Sequence, residues 1–379
     1  MSGATSNKTR CLSESQRLAW LRLIRSENIG PATFRDLLNH TGSAEKALEL
    51  LPELSRRGGK RSYRLCSEDD AADELEAHRH FGARLVALGE ADYPPHLKHI
   101  DGPPPLLSVK GGAVTSTPRM IAIVGARNAS LSGRKLAGSF ARDLGMHGFA
   151  IASGLARGID AAAHEAALQT GTLAVFAGGL NVLYPPEHDR LLTALIETGG
   201  AAVSEMPFGW KPRGRDFPRR NRLISGVSLG VVVIEAAKKS GSLHTARYAL
   251  EQNRDIYAVP GSPLDPRSEG ANGLIRQGAI LARSAEDVLE DLGNRGDPVL
   301  PLFQGVLDPA GEKPALRSEP DDRLRSKITA ALGPSPIEID ELIRFVEGDT
   351  RLVNVILLEL ELAGRLERHA GQKVSLVMG

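Results

Sequence analysis

The chain has 379 residues, 41% hydrophobic and 25% charged, a globular composition that excludes a wholly disordered or fibrous protein. Its length exceeds the roughly 250 to 300 residues at which one hydrophobic core stops growing, so two or three domains are expected. Lys and Arg total 47 against 46 Asp and Glu, a formal charge of +1, which excludes a uniformly basic nucleic-acid coat and leaves local patterning to decide.

The opening, MSGATSNKTRCLSESQ, lacks the apolar core of a signal peptide. Cys11 and Cys66 stand at no disulfide-framework or metal-binding spacing, and the longest aliphatic run, Val231 to Ile234, falls far short of a bilayer span. A cytoplasmic protein is expected, with no membrane contact, no metal and no cofactor. From Leu12 to about His80 apolar residues recur at helical spacing (Leu18, Leu21, Leu23, Ile24, then Phe34, Leu37, Leu38), interrupted by Gly30-Pro31. The segment Asn28 to Thr33 resembles the glycine turn of a helix-hairpin-helix, whose amides can face a phosphate; a bare turn between helices is the competing reading. The first domain is expected over residues 1–82, small, helical and SAM/helix-hairpin-helix-like.

Between Arg84 and about Arg283 short apolar runs alternate with helical segments, the pattern of a parallel sheet flanked by helices. Arg84 to Leu88 and Leu106 to Lys110 read as preliminary strands. Met120 to Gly125, Phe149 to Ser153, Thr172 to Ala177, Ala201 to Glu205, Leu229 to Glu235 and Asp255 to Val259 read as the main series. Six strands in βα succession predict a doubly wound, Rossmann-like α/β domain over 83–293. Residues 294–321, rich in Pro, Gly and charge, predict a linker. Over 322–379, helices at Arg323 to Leu332, Ile337 to Val346 and Leu352 to Ala363 precede a hairpin of Arg365 to Arg368 and Lys373 to Val377, a winged-helix layout.

In an open parallel sheet ligands lie beyond the carboxyl ends of the strands. There the sequence places Gly125-Ala126-Arg127-Asn128, then Ser153-Gly154-Leu155-Ala156-Arg157-Gly158, then Gly178-Gly179. Small residues let helix N-terminal amides approach an anion, and Arg127 and Arg157 add bidentate phosphate contacts. Arg127 stands where a dinucleotide fingerprint needs its second glycine, and no G-x-x-x-x-G-K-[ST] is present, which disfavours NAD and an ATPase.

The most informative stretch runs from Pro207 to Arg222, with six basic residues, one acid and three aromatics in sixteen positions. Cations track a phosphate backbone and aromatic faces stack on unpaired bases, so Lys211, Arg213, Arg215, Phe217, Arg219, Arg220, Asn221 and Arg222 are candidate contacts to single-stranded nucleic acid. The competing reading is a solvated basic turn whose aromatics, Phe208 and Trp210, plug the core. Asp160 and Glu235 have no nucleophile at a recognisable spacing and read as helix caps or local ion-pair partners. His164 and His244 read as helix-surface residues.

The motifs Ala122 to Arg127, SGLARGIDAAAH (Ser153 to His164), FPRRNRLISGVS (Phe217 to Ser228), VVVIEAAKKSGSLHTA (Val231 to Ala246), AVPG (Ala258 to Gly261) and GANGLIRQGA (Gly270 to Ala279) closely resemble the DNA-processing protein A (DprA, Smf) family. The resemblance covers Tyr93 to about Ala282, with the flanking pieces similar to the variable domains some members carry. It implies a non-enzymatic cytosolic protein that binds incoming single-stranded DNA in natural transformation, protects it, loads the RecA recombinase, and forms a homodimer through the Rossmann-like domain. It also implies a DNA pocket built from Gly125, Arg127, Asn128, the loop around Phe217 and Arg219 to Arg222, with Arg157 and Lys211 at the rim. The family's lysine shortly before the phenylalanine is replaced here by Arg213, Gly214 and Arg215, which leaves the cation there open. The last helix carries Glu359 and Glu361 and almost no cations, so the winged helix reads as a protein-contact module rather than a sequence reader. Two rival functions remain: a nucleotide hydrolase like the phosphoribohydrolases, whose P-G-G-x-G-T-x-x-E set is missing at Ser240 to Thr245, and an adaptor acting through its termini.

Overall fold

The computed structural model describes residues 11–293, 320–369 and 371–377. These fall into two compact units. One begins at Glu74 and holds the sheet; the other joins Leu12–Asp73 to the C-terminal segment from Gly305. The N-terminal helices and the winged helix, expected as separate domains over 1–82 and 322–379, thus cluster as one. Most of the expected linker, 294–319, lies outside the described residues.

In the second unit, α1 (Glu14–Arg25), α2 (Pro31–Thr41) and α3 (Ala44–Arg57) begin the chain. Ser13 and Gln16 close a capping box at the start of α1, and Pro31 opens α2 where a missing N–H costs nothing. Trp20 meets Phe34 edge-on at 5.0 Å. α4 (Glu68–His80) leads on into the sheet unit.

The sheet unit consists of β1 (Arg84–Ala87), β2 (Leu106–Gly111), β3 (Met120–Gly125), α5 (Leu131–Met146), β4 (Ala150–Ser153), α6 (Ile159–Ala166), β5 (Thr172–Val175), α7 (Asp189–Glu197), β6 (Ala201–Ser204), α8 (Asp216–Gly226), β7 (Gly230–Ile234), α9 (Ser242–Glu251), β8 (Asp255–Ala258), α10 (Glu269–Arg276), β9 (Ile280–Leu281) and α11 (Ala285–Gly293). Strand order is β1-β2-β6-β5-β4-β3-β7-β8-β9; the run from β6 to β9 is parallel, and β2 joins β6 antiparallel. The expected strands are all present, and the two-residue edge strand β9 is an addition too short for periodicity to reveal. From β3 the chain winds outward to β6, then returns to place β7 on the other side of β3. The switch point therefore lies between β3 and β7, where Gly125 pairs with Ile234. Both faces are apolar: Val124, Val231 and Leu223 pack on one side, Ile123, Phe140 and Val232 on the other, which is why these strands read as continuous hydrophobic runs.

The C-terminal segment of the second unit comprises α12 (Asp322–Ala331), β10 (Ile337–Glu338), α13 (Ile339–Val346), α14 (Thr350–Leu362), β11 (Leu366–His369) and β12 (Lys373–Leu376), with β12 between β10 and β11. The expected helix from Ile337 starts two residues later, because Ile337 pairs with Val374 as the third strand of a winged helix. α14 packs its polar positions against α2 and α3. The buried Glu359 accepts from Arg325 at 2.9 and 3.1 Å. Glu361 accepts from Arg368 at 2.8 Å and from Thr33 at 2.8 Å, Arg368 also reaches Asp36, and Asn28 donates to the Leu362 carbonyl at 3.0 Å. Asn28, beside the Gly30-Pro31 turn, thus ties the start of the hairpin to α14. No described helix is long and apolar enough to cross a membrane.

Candidate nucleic-acid interface

The carboxyl ends of β3, β4, β5 and β6 carry four loops that pack on one another. A Cβ on Gly125 would overlap the Ile234 carbonyl and the Ile159 side chain, so this glycine lets β3 and β7 meet at the switch point. Beyond it Arg127 and Asn128 are exposed. The Arg127 guanidinium carbon lies 5.2 Å from the centre of the Phe217 ring, a cation-π distance. Phe217, in the first turn of α8, is half-buried, and its other neighbour is the exposed Tyr184 from the loop after β5, with ring centres 5.3 Å apart and planes at 62°. Arg127, Phe217 and Tyr184 thus form one rim. Sequence reasoning missed Tyr184; a lone aromatic beside Pro185-Pro186 gives no periodic or charge signal.

The basic loop is held by Asp216, whose carboxylate accepts from the Trp210 indole at 2.9 Å and the Arg213 amide at 2.8 Å. Burial acts to raise this carboxyl, but those bonds and the nearby Arg215 and Arg213 charges outweigh it and hold the group below its ordinary value. Arg213 in turn lies over Trp210, 4.8 Å from the ring centre. Phe208 plugs the fold, packed 4.7 Å from His78 and 5.6 Å from Phe81. The loop's aromatics divide: Phe208 is structural, Trp210 braces the basic turn, and Phe217 faces the rim. Lys211, Arg213 and Arg215 are exposed, and none has an ion-pair partner among the described residues.

The run Arg219 to Arg222, read as one ligand surface, is dispersed by the turn of α8. Arg219 is half-exposed and lies 3.4 Å from Glu205. Arg220 is buried, donating to the carbonyls of Gly154 (2.8 Å) and Val175. Burial pulls its guanidinium down to about 10, against the attraction of Asp160. Asn221 is buried and donates to the Gly241 carbonyl at 3.1 Å. Arg222 is paired with Glu205 and bonded to the Gly102 carbonyl at 3.1 Å. Arg220, Asn221 and Arg222 therefore hold the loops in place, and of the three Arg220 also lines the depression beside Tyr184 and Phe217. Arg157 is exposed and paired with Glu187, which raises its guanidinium further.

The N-terminus of α5 is filled from within, and a second carboxylate is engaged in the loop before α6. Glu235 accepts from the Ser130 amide at 2.8 Å and from its hydroxyl, holding Ser130, whose Oγ accepts from the Gly133 amide and caps α5. Asp160 accepts from the amides of Gly154 (3.1 Å) and Ala156 (3.4 Å), bracing the turn before α6. The small residues serve the packing of loop on loop: a Cβ on Gly154 would sit on the Arg220 guanidinium, and Cβ atoms on Gly178 and Gly179 would meet the backbone of Pro207 to Trp210. His164, expected on a helix surface, is fully buried, its Nδ1 2.7 Å from the Thr172 hydroxyl, while His244 is exposed. The arrangement offers cations and an aromatic face, with Glu235 and Asp160 both engaged in hydrogen bonds within the loops.

Comparison with known proteins places this geometry. Residues 84–293 match the model of DNA recombination-mediator protein A, residues 14–77 a DprA-like N-terminal HHH domain, and residues 312–372 a DprA winged helix domain. Protein Smf of Synechocystis is 31% identical over 401 aligned residues, covering 96% of this chain and 99% of that one. Protein Smf of Escherichia coli is 48% identical over 210 residues, 55% of this chain and 56% of the relative. The X-ray structure of DNA processing protein A from Streptococcus pneumoniae superposes with a TM-score of 0.59 at 33% identity, over 74% of this chain and 99% of that one. A structure of the Helicobacter pylori protein, described for its single-stranded DNA binding mode, superposes at 0.52 with 27% identity, over 57% and 98%. With its sheet, helical hairpin and winged helix each matched in chain order, the protein belongs to the DNA recombination-mediator protein A family.

Proposed function

We propose that the protein binds single-stranded DNA without sequence preference, protects incoming strands in natural transformation and hands them to the RecA recombinase. In this reading it acts in the cytoplasm as a homodimer through the sheet unit and breaks no bond. The observation that carries the reading is the contact of Arg127 with Phe217, two residues ninety positions apart that meet on one rim. A cation beside an aromatic face is what an unpaired strand needs, since the phosphate takes the charge and the base takes the ring. The description of the Helicobacter pylori relative as a single-stranded DNA binder supports it.

The hydrolase alternative has little support, because Glu235 is bonded to Ser130, which caps α5. The test is an anisotropy titration of labelled oligothymidine. Arg127→Ala and Phe217→Ala are each expected to weaken binding, Phe217→Ala by about 1 to 3 kcal/mol, and duplex of equal length to compete poorly. Parent-like affinity in both variants would refute the assignment of the rim.

A further inference from the structure

Tyr184 leaves 47% of its surface exposed. Its backbone segment is nonetheless fixed: His188 Nδ1 lies 2.9 Å from the Leu155 carbonyl, and Glu187 pairs with Arg157. The segment is thus tied at two points to the loop after β4, which holds the ring in place beside Phe217. The two rings touch edge to face, and beside them lies a shallow depression lined by Tyr184, Phe217, Pro212, Gly154, Gly178 and Arg220.

The floor has few unused polar groups. The Gly154 amide donates to Asp160, the Arg220 guanidinium donates to the Gly154 and Val175 carbonyls and to Asn221 Oδ1, and the Gly178 carbonyl accepts from the Ser204 hydroxyl at 2.6 Å. A site with aromatic walls and committed floor groups recognises the face of a flat ring and not the pattern on its edge.

We infer that Tyr184 is a second base-stacking residue, whose exposed ring beside Phe217 takes the face of one unpaired nucleobase of a bound strand. The inference rests on the single-stranded DNA reading and adds to it the contact made by a particular base. The full-length parent, Tyr184→Leu and Tyr184→Phe are titrated with oligothymidine and with a strand of equal length carrying abasic deoxyribose phosphates. Equal thermal midpoints serve as the check on folding. Tyr184→Leu is expected to bind oligothymidine roughly tenfold more weakly, the scale of one stacked base, and the abasic strand as the parent does. Tyr184→Phe, which keeps the ring, is expected to stay within about twofold of the parent. Parent-like binding of oligothymidine by Tyr184→Leu overturns the inference alone. Equal losses on both strands also overturn it, by assigning Tyr184 a structural role, and a loss in Tyr184→Phe assigns the effect to the hydroxyl. A parent that binds neither strand overturns the function and the inference together.

Discussion

His164 sits fully buried on α6, and its chemistry follows from one hydrogen bond. The Thr172 hydroxyl gives its only hydrogen to the Ile151 carbonyl, so His164 Nδ1 must carry the proton it shares with Thr172, and Nε2 is left bare and without a partner. Burial, with the nearby charges of His188 and Arg220, pulls the imidazole down to about 3. The folded protein therefore keeps His164 neutral where the unfolded chain takes up a proton. Its stability is fully present above the ordinary value of 6.5 and is lost as pH falls from there toward 3. At pH 5 the loss from this residue is about 2 kcal/mol. Thermal midpoints measured between pH 7 and pH 5 are expected to fall, and the fall is expected to be shallower in His164→Asn. His96, pulled down to about 4 mainly by burial, retains its own share of the slope in both proteins. A His164→Asn profile as steep as the parent's would show that another group is responsible.

α8 and α14 each show an element deciding what its residues do. At about 100° per residue, α8 sends Arg220, Leu223 and Ile224 into the fold and Arg219 outward, so four consecutive polar residues cannot share a ligand face. The anions of α14 were legible as a reason against groove reading. What they contact was not: Glu359 meets Arg325 of α12, and Glu361 meets Arg368 of β11 and, across to α2, Thr33. Gly58 is the point of nearest approach, where a Cβ would overlap the Glu359 carbonyl. Gly58→Ala, at a φ that any residue adopts, is expected to destabilise this unit by about 1 to 3 kcal/mol through overpacking. The readout is a lowered thermal midpoint with oligothymidine affinity unchanged, and a midpoint equal to the parent's would show that the contact is loose.

Across the whole molecule the charge is nearly balanced, yet it is unevenly distributed over the strand ends. Arg127, Lys211, Arg213 and Arg215 have no ion-pair partner among the described residues, whereas Arg157, Arg219 and Arg222 are matched by Glu187 and Glu205. Four free cations on a single strand predict that log affinity falls with log salt at a slope of roughly −3. Titrations of oligothymidine across salt concentrations check this, and a slope near zero would separate binding from the basic loop.

The doubly wound sheet was readable because burial on both faces writes itself as short apolar runs separated by helical periods. The rim was half readable: composition marked Pro207 to Arg222 as cationic and aromatic, but it could not tell which members point outward. The local pattern by itself determined the strands, the helices and the stretch rich in charge, since these depend on neighbours a few residues apart. Only the tertiary structure decided that Arg127 and Tyr184 flank Phe217, that Arg220 is buried under Gly154, and that the helical hairpin covers α14. Those contacts join residues tens to hundreds of positions apart, and their formation depends on strand order and on the free energy of burying whole surfaces, which no local window contains.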